Sequence, residues 1–114
     1  MKQNVIEINF NFQGIHNTKS YFDKMVIEFN LPEFFAYSFD SLNDCMRDLS
    51  WIEENYLIIN FLNIESLRSK NEKLFYDVKE GIETWQEYWN NSDKYSNYWK
   101  VDKCDIKTVV MTLH

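Results

Sequence analysis

The stretch that decides the fold is Leu31-Pro32-Glu33-Phe34-Phe35-Ala36-Tyr37-Ser38-Phe39-Asp40-Ser41-Leu42-Asn43-Asp44-Cys45. Pro32 fixes its own φ and disfavours a helical Leu31, so any helix before it must end there. Ser38 is a predicted N-cap, because its hydroxyl can accept a hydrogen bond from an amide of the first turn. Helical spacing then gives a core-facing row: Phe39, Leu42, Cys45, Met46 and Leu49. The stretch predicts an aromatic turn and a short helix that ends near Leu49.

The other face of this short helix is polar and carries Asp40, Asn43, Asp44 and Arg47. Two aspartates four residues apart repel each other by a few tenths of a kcal/mol on an isolated helix, a cost that a nearby cation would remove. Asp40 also suits the positive end of the helix dipole. Spacing alone therefore favours a plain solvated face without excluding a binding role.

Composition describes one folded domain with an acidic surface. The 114 residues are 45% hydrophobic and 18% aromatic, which indicates a packed globule rather than a disordered chain. The formal net charge is −6 and there is no basic run, so direct binding to nucleic acid is not expected. A cationic protein partner would suit this charge, since complementary fields accelerate association.

The chain shows no targeting or membrane signal. Its first residues alternate like a strand rather than forming a signal peptide, and no apolar run approaches membrane-spanning length. These features predict a cytoplasmic protein with no membrane contact. Cys45 and Cys104 are too few and too far apart for a disulfide framework or a structural zinc site, and we expect both to be buried, reduced thiols.

Hydrophobic patterning predicts three strands. Residues 6–12 alternate strictly, residues 56–62 are apolar on both faces and indicate a buried central strand, and residues 106–113 close the chain. Because helical segments separate these strands, the predicted fold class is α/β, a small three-stranded parallel sheet with flanking helices in the order β-α-α-β-α-β.

Two longer helices and one short helical turn (residues 63–71) complete the pattern. The first helix, residues 18–30, turns Phe22, Met25, Val26 and Phe29 inward. Its start is either near Thr18 or two residues later, with Ser20 and Asp23 as the cap. The last helix, residues 72–90, has a core face: Phe75, Val78, Ile82, Trp85 and Trp89.

The outer side of the last helix is acidic, with Glu80, Glu83 and Glu87. Gly81 inside it costs close to 1 kcal/mol relative to alanine and marks either close packing or a kink. Residues 91–103 are polar and aromatic and predict an irregular connection, which either contributes binding contacts or covers the sheet edge.

The opening stretch resembles the signature of the barstar family, small intracellular inhibitors of ribonucleases. In that signature a Leu-Pro-Glu-aromatic-aromatic-Gly turn leads into a helix with two aspartates four apart, followed by cysteine. The proline, the glutamate, both aromatics, both aspartates, Leu42 and Cys45 match in register without a gap. The resemblance spans nearly the whole chain and implies a barstar-like fold for residues 1–114.

The resemblance also implies a function and a site. It implies a monomeric immunity protein, or antitoxin, that forms a 1:1 complex with a cognate cationic ribonuclease toxin. By motif position the inhibitory contacts fall on Phe34, Asp40, Asn43 and Asp44, with Glu87 as the best candidate for an acidic residue late in the long helix. The predicted partner-binding set is Phe34, Tyr37, Ser38, Asp40, Asn43, Asp44, Arg47, Glu83 and Glu87.

Three residues depart from the family pattern. Ala36 stands where the family has glycine, Asn43 replaces an aromatic residue that is usually tryptophan, and Phe34 lacks the hydroxyl of the usual tyrosine. The two aspartates are kept, so an acidic inhibitory face remains. The altered surroundings suggest a toxin different from the family's best-known target.

The sequence offers little for catalysis. Only His16 and His114 are present, Cys45 lies on the core side of its helix, and no phosphate loop or metal-spaced cluster occurs. Asp40 and Asp44 could act as an acid–base pair, but one exposed helix without a cleft is a poor setting for it. We therefore predict no catalytic residues, no metal and no cofactor. The alternative to a ribonuclease inhibitor is a barstar-fold interaction module with a non-nuclease protein partner.

Overall fold

The computed structural model describes residues 4–90 and 107–114. Its elements, in chain order, are β1 (Val5–Asn11), α1 (Thr18–Phe29), α2 (Phe39–Met46), β2 (Tyr56–Leu62), α3 (Glu65–Lys70), α4 (Glu72–Asn90) and β3 (Thr108–Leu113). The short α3 corresponds to the predicted helical turn. The predicted irregular connection (91–103), Cys104 and the first residue of the predicted last strand lie outside the described residues.

The three strands form one parallel sheet in the order β1-β2-β3. Ile8 pairs with Ile59, and Ile59 pairs in turn with Met111. Each parallel pair needs a long crossover, and the helices between the strands provide it. This confirms the predicted α/β class and the central position of β2.

The core lies on one face of the sheet. Phe10, Ile59, Phe61 and Met111 are buried there together with the inner faces of α1, α2 and α4. The prediction that β2 is buried on both faces is wrong, because its residues alternate between buried and partly exposed. On the opposite face Val110 is 39% exposed. The apolar sequence of β2 therefore does not indicate that both faces of this strand are covered.

The outer face of the sheet carries a polar row centred on Asn60. Its Nδ2 donates to Glu7 Oε2 and to Asn9 Oδ1, both at 2.9 Å, and its Oδ1 accepts from Thr112 Oγ1 at 2.7 Å. Because one amide side chain bridges all three strands, these bonds support the register of the sheet on its solvent-facing side.

The first helix is fixed at both ends by its own sequence. Asn17 is the N-cap and forms a capping box with Ser20, whose backbone N–H donates to Asn17 Oδ1 at 2.7 Å. The alternative start with Ser20 and Asp23 as the cap is therefore wrong. At the other end Asn30 adopts the left-handed conformation that often ends helices, directly before Leu31 and Pro32.

The inner face of α1 packs into an aromatic core. Phe22, Met25 and Phe29 are buried as predicted, and Val26 is partly buried. Tyr21 is buried as well, with its ring centroid 6.0 Å from that of Phe10. Burial raises the pKa of the Tyr21 phenol. Aromatic side chains bury large areas, so this cluster fixes the position of α1 and of the turn that follows it.

Candidate functional site

The turn between α1 and α2 presents one aromatic ring to solvent and buries its neighbour. Phe35 is buried, with its ring 5.6 Å from Phe22, and its N–H donates to the carbonyl of Pro32 at 3.0 Å. Phe34 is 72% exposed. An apolar ring held this far out of the core by a fixed turn is available to a partner.

Tyr37, rather than Ala36, adopts the unusual backbone conformation in this turn. Tyr37 has a φ of 51°, whereas Ala36 is not among the described residues with positive φ. Alanine at the position of the family's glycine is therefore not forced into a left-handed conformation. The Ala36 N–H donates to Ser41 Oγ at 3.0 Å, which ties the turn to α2.

Side-chain contacts hold Tyr37 in place. Its ring lies 5.1 Å from that of Phe35, and its hydroxyl donates to Asp23 Oδ1 on α1 at 3.0 Å. The other carboxylate oxygen of Asp23 accepts from Lys19 Nζ at 2.7 Å. A left-handed conformation costs a non-glycine residue about 1–2 kcal/mol, so these contacts offset a local strain.

The electrostatics of these three groups agree with the geometry. The hydrogen bond to Asp23 raises the pKa of both Lys19 and Tyr37. The bond from Lys19, followed by the bond from Tyr37, lowers the pKa of Asp23. No motif in the sequence marked Lys19 and Asp23 as contributors to this turn, although their opposite charges have i,i+4 spacing.

The short helix begins as predicted and ends earlier. Ser38 is its N-cap, with Oγ accepting from the Ser41 N–H at 3.1 Å. The helix ends at Met46 rather than near Leu49, because Leu49 has a φ of 55°, which a continuing helix does not allow. Leu49 is nevertheless buried, like most of the predicted core row.

The exposed face of α2 carries the two expected aspartates together with the cationic side chain of Arg47. Asp40 and Asp44 are exposed. Arg47 Nη2 lies 3.2 Å from Asp44 Oδ1, and Arg47 Nε donates to the carbonyl of Asn43 at 3.2 Å. An exposed pair of this kind contributes little to stability, but it offsets the repulsion between the two aspartates.

The side chain of Asn43 forms a hydrogen bond to α4. Its Oδ1 accepts from the indole N–H of Trp85 at 2.7 Å, and Trp85 is 1% exposed. Trp89 makes a second link, with its indole N–H donating to the Met46 carbonyl at 2.8 Å. A Cβ added at Gly81 would meet Trp85 Cζ2 at 3.6 Å, an ordinary contact distance. The departure from the family's aromatic residue thus produces a hydrogen bond between α2 and α4.

Glu83 and Glu87 are exposed, as predicted, but they do not lie where α4 contacts α2. Each is two residues from Trp85, and at 3.6 residues per turn this places it about 160° around the helix from the Asn43 contact. The same geometry places Thr84 about 100° and Tyr88 about 60° around the helix from Trp85. The structure therefore brings Asp40, Asn43, Asp44 and Arg47 together and leaves the two glutamates on the outer side of α4.

The described residues give no sign of a reactive or metal-binding centre. Burial, followed by the charges of Asp44 and Asp48, raises the pKa of the Cys45 thiol, and this free cysteine is buried as predicted. Within residues 4–90 and 107–114, no three His, Cys, Asp or Glu side chains are placed to hold a metal ion. No helix in this part of the chain is both long enough and apolar enough to cross a bilayer.

The fold and the acidic exposed face of α2 agree with a comparison of the chain with models of known protein families. The family model described as "Barstar (barnase inhibitor)" matches residues 5–100. Because this match covers most of the chain, the chain belongs to the barstar family, whose members are ribonuclease inhibitors. The resemblance seen in the sequence is confirmed. No curated protein matches the chain.

Proposed function

We propose that this chain, as a single barstar-like domain, binds a cationic ribonuclease toxin and blocks its active site with the exposed face of α2. The observation that carries the proposal is the placement of Asp40 and Asp44 on one exposed helix face, directly after a fixed turn that exposes Phe34. The family match gives the class of partner.

The chemistry of a ribonuclease active site suits this surface. Such a site binds phosphates through arginine, lysine and histidine, and carboxylates can take the place of the phosphates. Hydrogen bonds between these cations and Asp40 or Asp44 would be charge-assisted, which is the strong kind. The net charge of −6 would also steer a cationic partner toward the chain.

The remaining predicted site residues have supporting roles in this proposal. Ser38 caps α2, and Arg47 holds Asp44 until the partner's cations replace it. Phe34 and Tyr37 supply aromatic surface beside the carboxylates. Glu83 and Glu87, on the outer side of α4, add to the negative field rather than entering the active site.

The biological role that follows is immunity in the cytoplasm. A cell that makes or receives a ribonuclease toxin is protected by a monomer that occupies the enzyme in a 1:1 complex. The proposal assigns the chain no catalytic activity, no cofactor and no contact with nucleic acid or membrane.

One observation favours a second candidate function, a barstar-fold module with a non-nuclease protein partner. Asn43 stands where the family has a large aromatic residue, and its side-chain oxygen is occupied by Trp85. The surface therefore lacks one large contact that an inhibitor of the usual target would offer.

An inhibition assay with a matched control tests the proposal. RNA cleavage by barnase, and then by other basic ribonucleases, is measured with wild type, with Asp40→Ala/Asp44→Ala and with Glu83→Ala/Glu87→Ala. Both double variants remove two exposed charges one helical turn apart. We expect wild type to inhibit one of these enzymes and the α2 variant to lose at least about a hundredfold, since hydrogen bonds to charged groups contribute about 1.5–3 kcal/mol each.

The α4 variant separates contact from net charge. We expect it to change inhibition by less than about tenfold, mainly through slower association, because screened surface charges act at a distance. Equal losses in the two double variants would contradict a direct role for Asp40 and Asp44. Tight binding to a protein without nuclease activity, with no ribonuclease inhibited, would favour the second candidate.

A further inference from the structure

The most unusual backbone position in the proposed binding surface is Tyr37. It lies between the exposed Phe34 ring and α2 and is the residue of this turn with positive φ. Asparagine and glycine tolerate this conformation, whereas a bulky aromatic residue rarely adopts it. Something outside the turn must therefore hold it there.

That support comes from a helix without any predicted binding residue. Asp23 on α1 accepts from the Tyr37 hydroxyl at 3.0 Å, and Lys19, one helical turn earlier, donates to the same carboxylate at 2.7 Å. Lys19 fixes one oxygen of Asp23, so the other oxygen is oriented toward the phenol. Asp23 and Tyr37 are 14 residues apart, and their bond fastens the turn to α1.

We propose that Lys19 and Asp23 are positioning residues for the binding surface, because they hold Tyr37 and thereby set the angle between the exposed Phe34 ring and the acidic face of α2. The proposal rests on the proposed inhibition of a ribonuclease for its functional consequence. Its structural part concerns the free protein alone. A surface set before the partner arrives loses less conformational entropy on binding.

The raised pKa of Tyr37 and the lowered pKa of Asp23 agree with this role. Two further bonds belong to the same turn, from the Phe35 N–H to the Pro32 carbonyl and from the Ala36 N–H to Ser41 Oγ, each at 3.0 Å. If Tyr37 is released, these bonds should open more often. Hydrogen exchange of the two amides therefore reports the state of the turn directly.

The experiment compares Asp23→Ala and Tyr37→Phe with a matched control, Asp77→Ala. Asp77 accepts from Lys73 in the same i,i+4 arrangement at 3.0 Å, on a different helix. Amide exchange is measured in the free protein, and inhibition is measured with the same samples against the ribonuclease that wild type inhibits most strongly. Asp23→Glu, which keeps the carboxylate, serves as the rescue variant.

We expect Asp23→Ala, which removes the acceptor oxygen, to accelerate exchange at Phe35 and Ala36 about fivefold and to weaken inhibition by a similar factor, the effect of one hydrogen bond. Adding Tyr37→Phe to Asp23→Ala should cause no further loss, Asp23→Glu should keep most of the wild-type behaviour, and Asp77→Ala should match wild type. Unchanged exchange in Asp23→Ala, or additive effects of the two variants, would overturn the proposal. Failure of wild type to inhibit any of the basic ribonucleases would count against the proposed function, while exchange would still decide the positioning role.

Discussion

Replacing Asn43 with alanine tests whether this residue links α2 to α4, as the structure indicates, rather than serving only as a surface contact. The substitution removes the oxygen that accepts from the indole N–H of Trp85. Since Trp85 is 1% exposed, its N–H then loses its partner in a largely apolar environment.

The expected loss of stability follows from that geometry. A buried donor left without a partner costs about 1–3 kcal/mol. Asn43 itself is half-buried, so water can partly replace its oxygen, and we expect about 1–2 kcal/mol. For a domain slightly longer than 100 residues this corresponds to a fall in Tm of roughly 4–8 °C.

Urea unfolding, followed by far-ultraviolet circular dichroism, measures this loss. The set contains Asn43→Ala, Trp85→Phe and the double variant, because a double-mutant cycle isolates the bond between the two side chains. Asn43→Asp keeps an acceptor oxygen and should lose less than Asn43→Ala. Asp44→Ala, one residue along α2, changes an exposed side chain and should stay within about 0.5 kcal/mol of wild type.

Two results would refute the reasoning about Asn43. One is a loss below 0.5 kcal/mol in Asn43→Ala, comparable with Asp44→Ala in size. The other is full additivity of Asn43→Ala and Trp85→Phe, which would mean that the two side chains do not stabilise each other.

Three further predictions follow. Gly81→Ala should stabilise the protein by about 0.5–1 kcal/mol in thermal unfolding. The added Cβ meets Trp85 at an ordinary contact distance, and alanine loses less conformational entropy than glycine in a helix interior. A lower Tm would mean that the packing between the helices cannot accept the methyl group. Ser38→Ala should cost about 1 kcal/mol in the same assay through loss of the cap to the Ser41 N–H, and no loss would contradict the capping role. A titration followed by NMR, which resolves Tyr37 among the seven tyrosines, should place the pKa of its phenol above the ordinary 10.0. The bond to Asp23 is complete below that pH and is lost as pH rises through the raised pKa. The same pKa in Asp23→Ala would contradict the bond.

Local patterns in the sequence predicted the elements well, and contacts between distant residues account for most of the differences. The proline before the turn, the Ser38 cap and the alternating first strand each act within a few residues, and the structure contains all three features. The bond between Asn43 and Trp85 joins residues 42 apart, so no local pattern could reveal it. In the sequence alone, Asn43 resembled the other residues of the exposed polar face of α2.

The differences in α1 and β2 have separate causes. Ser20 was recognisable as a capping residue, but it is the third residue of the helix (N3) in a capping box whose N-cap is Asn17. The apolar outer face of β2 suggested a covered strand, and only the packing of the helices shows that the core lies on the other side. Asp23 is not part of the capping box and instead accepts a hydrogen bond from Tyr37, 14 residues later.

The parallel arrangement of the sheet has a consequence for how the chain folds. The strand neighbours Asn9 and Asn60 are 51 residues apart, and Asn60 and Thr112 are 52 apart. Neither pairing can begin as a hairpin, so each must wait for the closure of a long loop, whose entropy is lost before the contacts form. We therefore expect slower folding than in a helical bundle of equal length, with the central strand completed only when both ends of the chain have reached it.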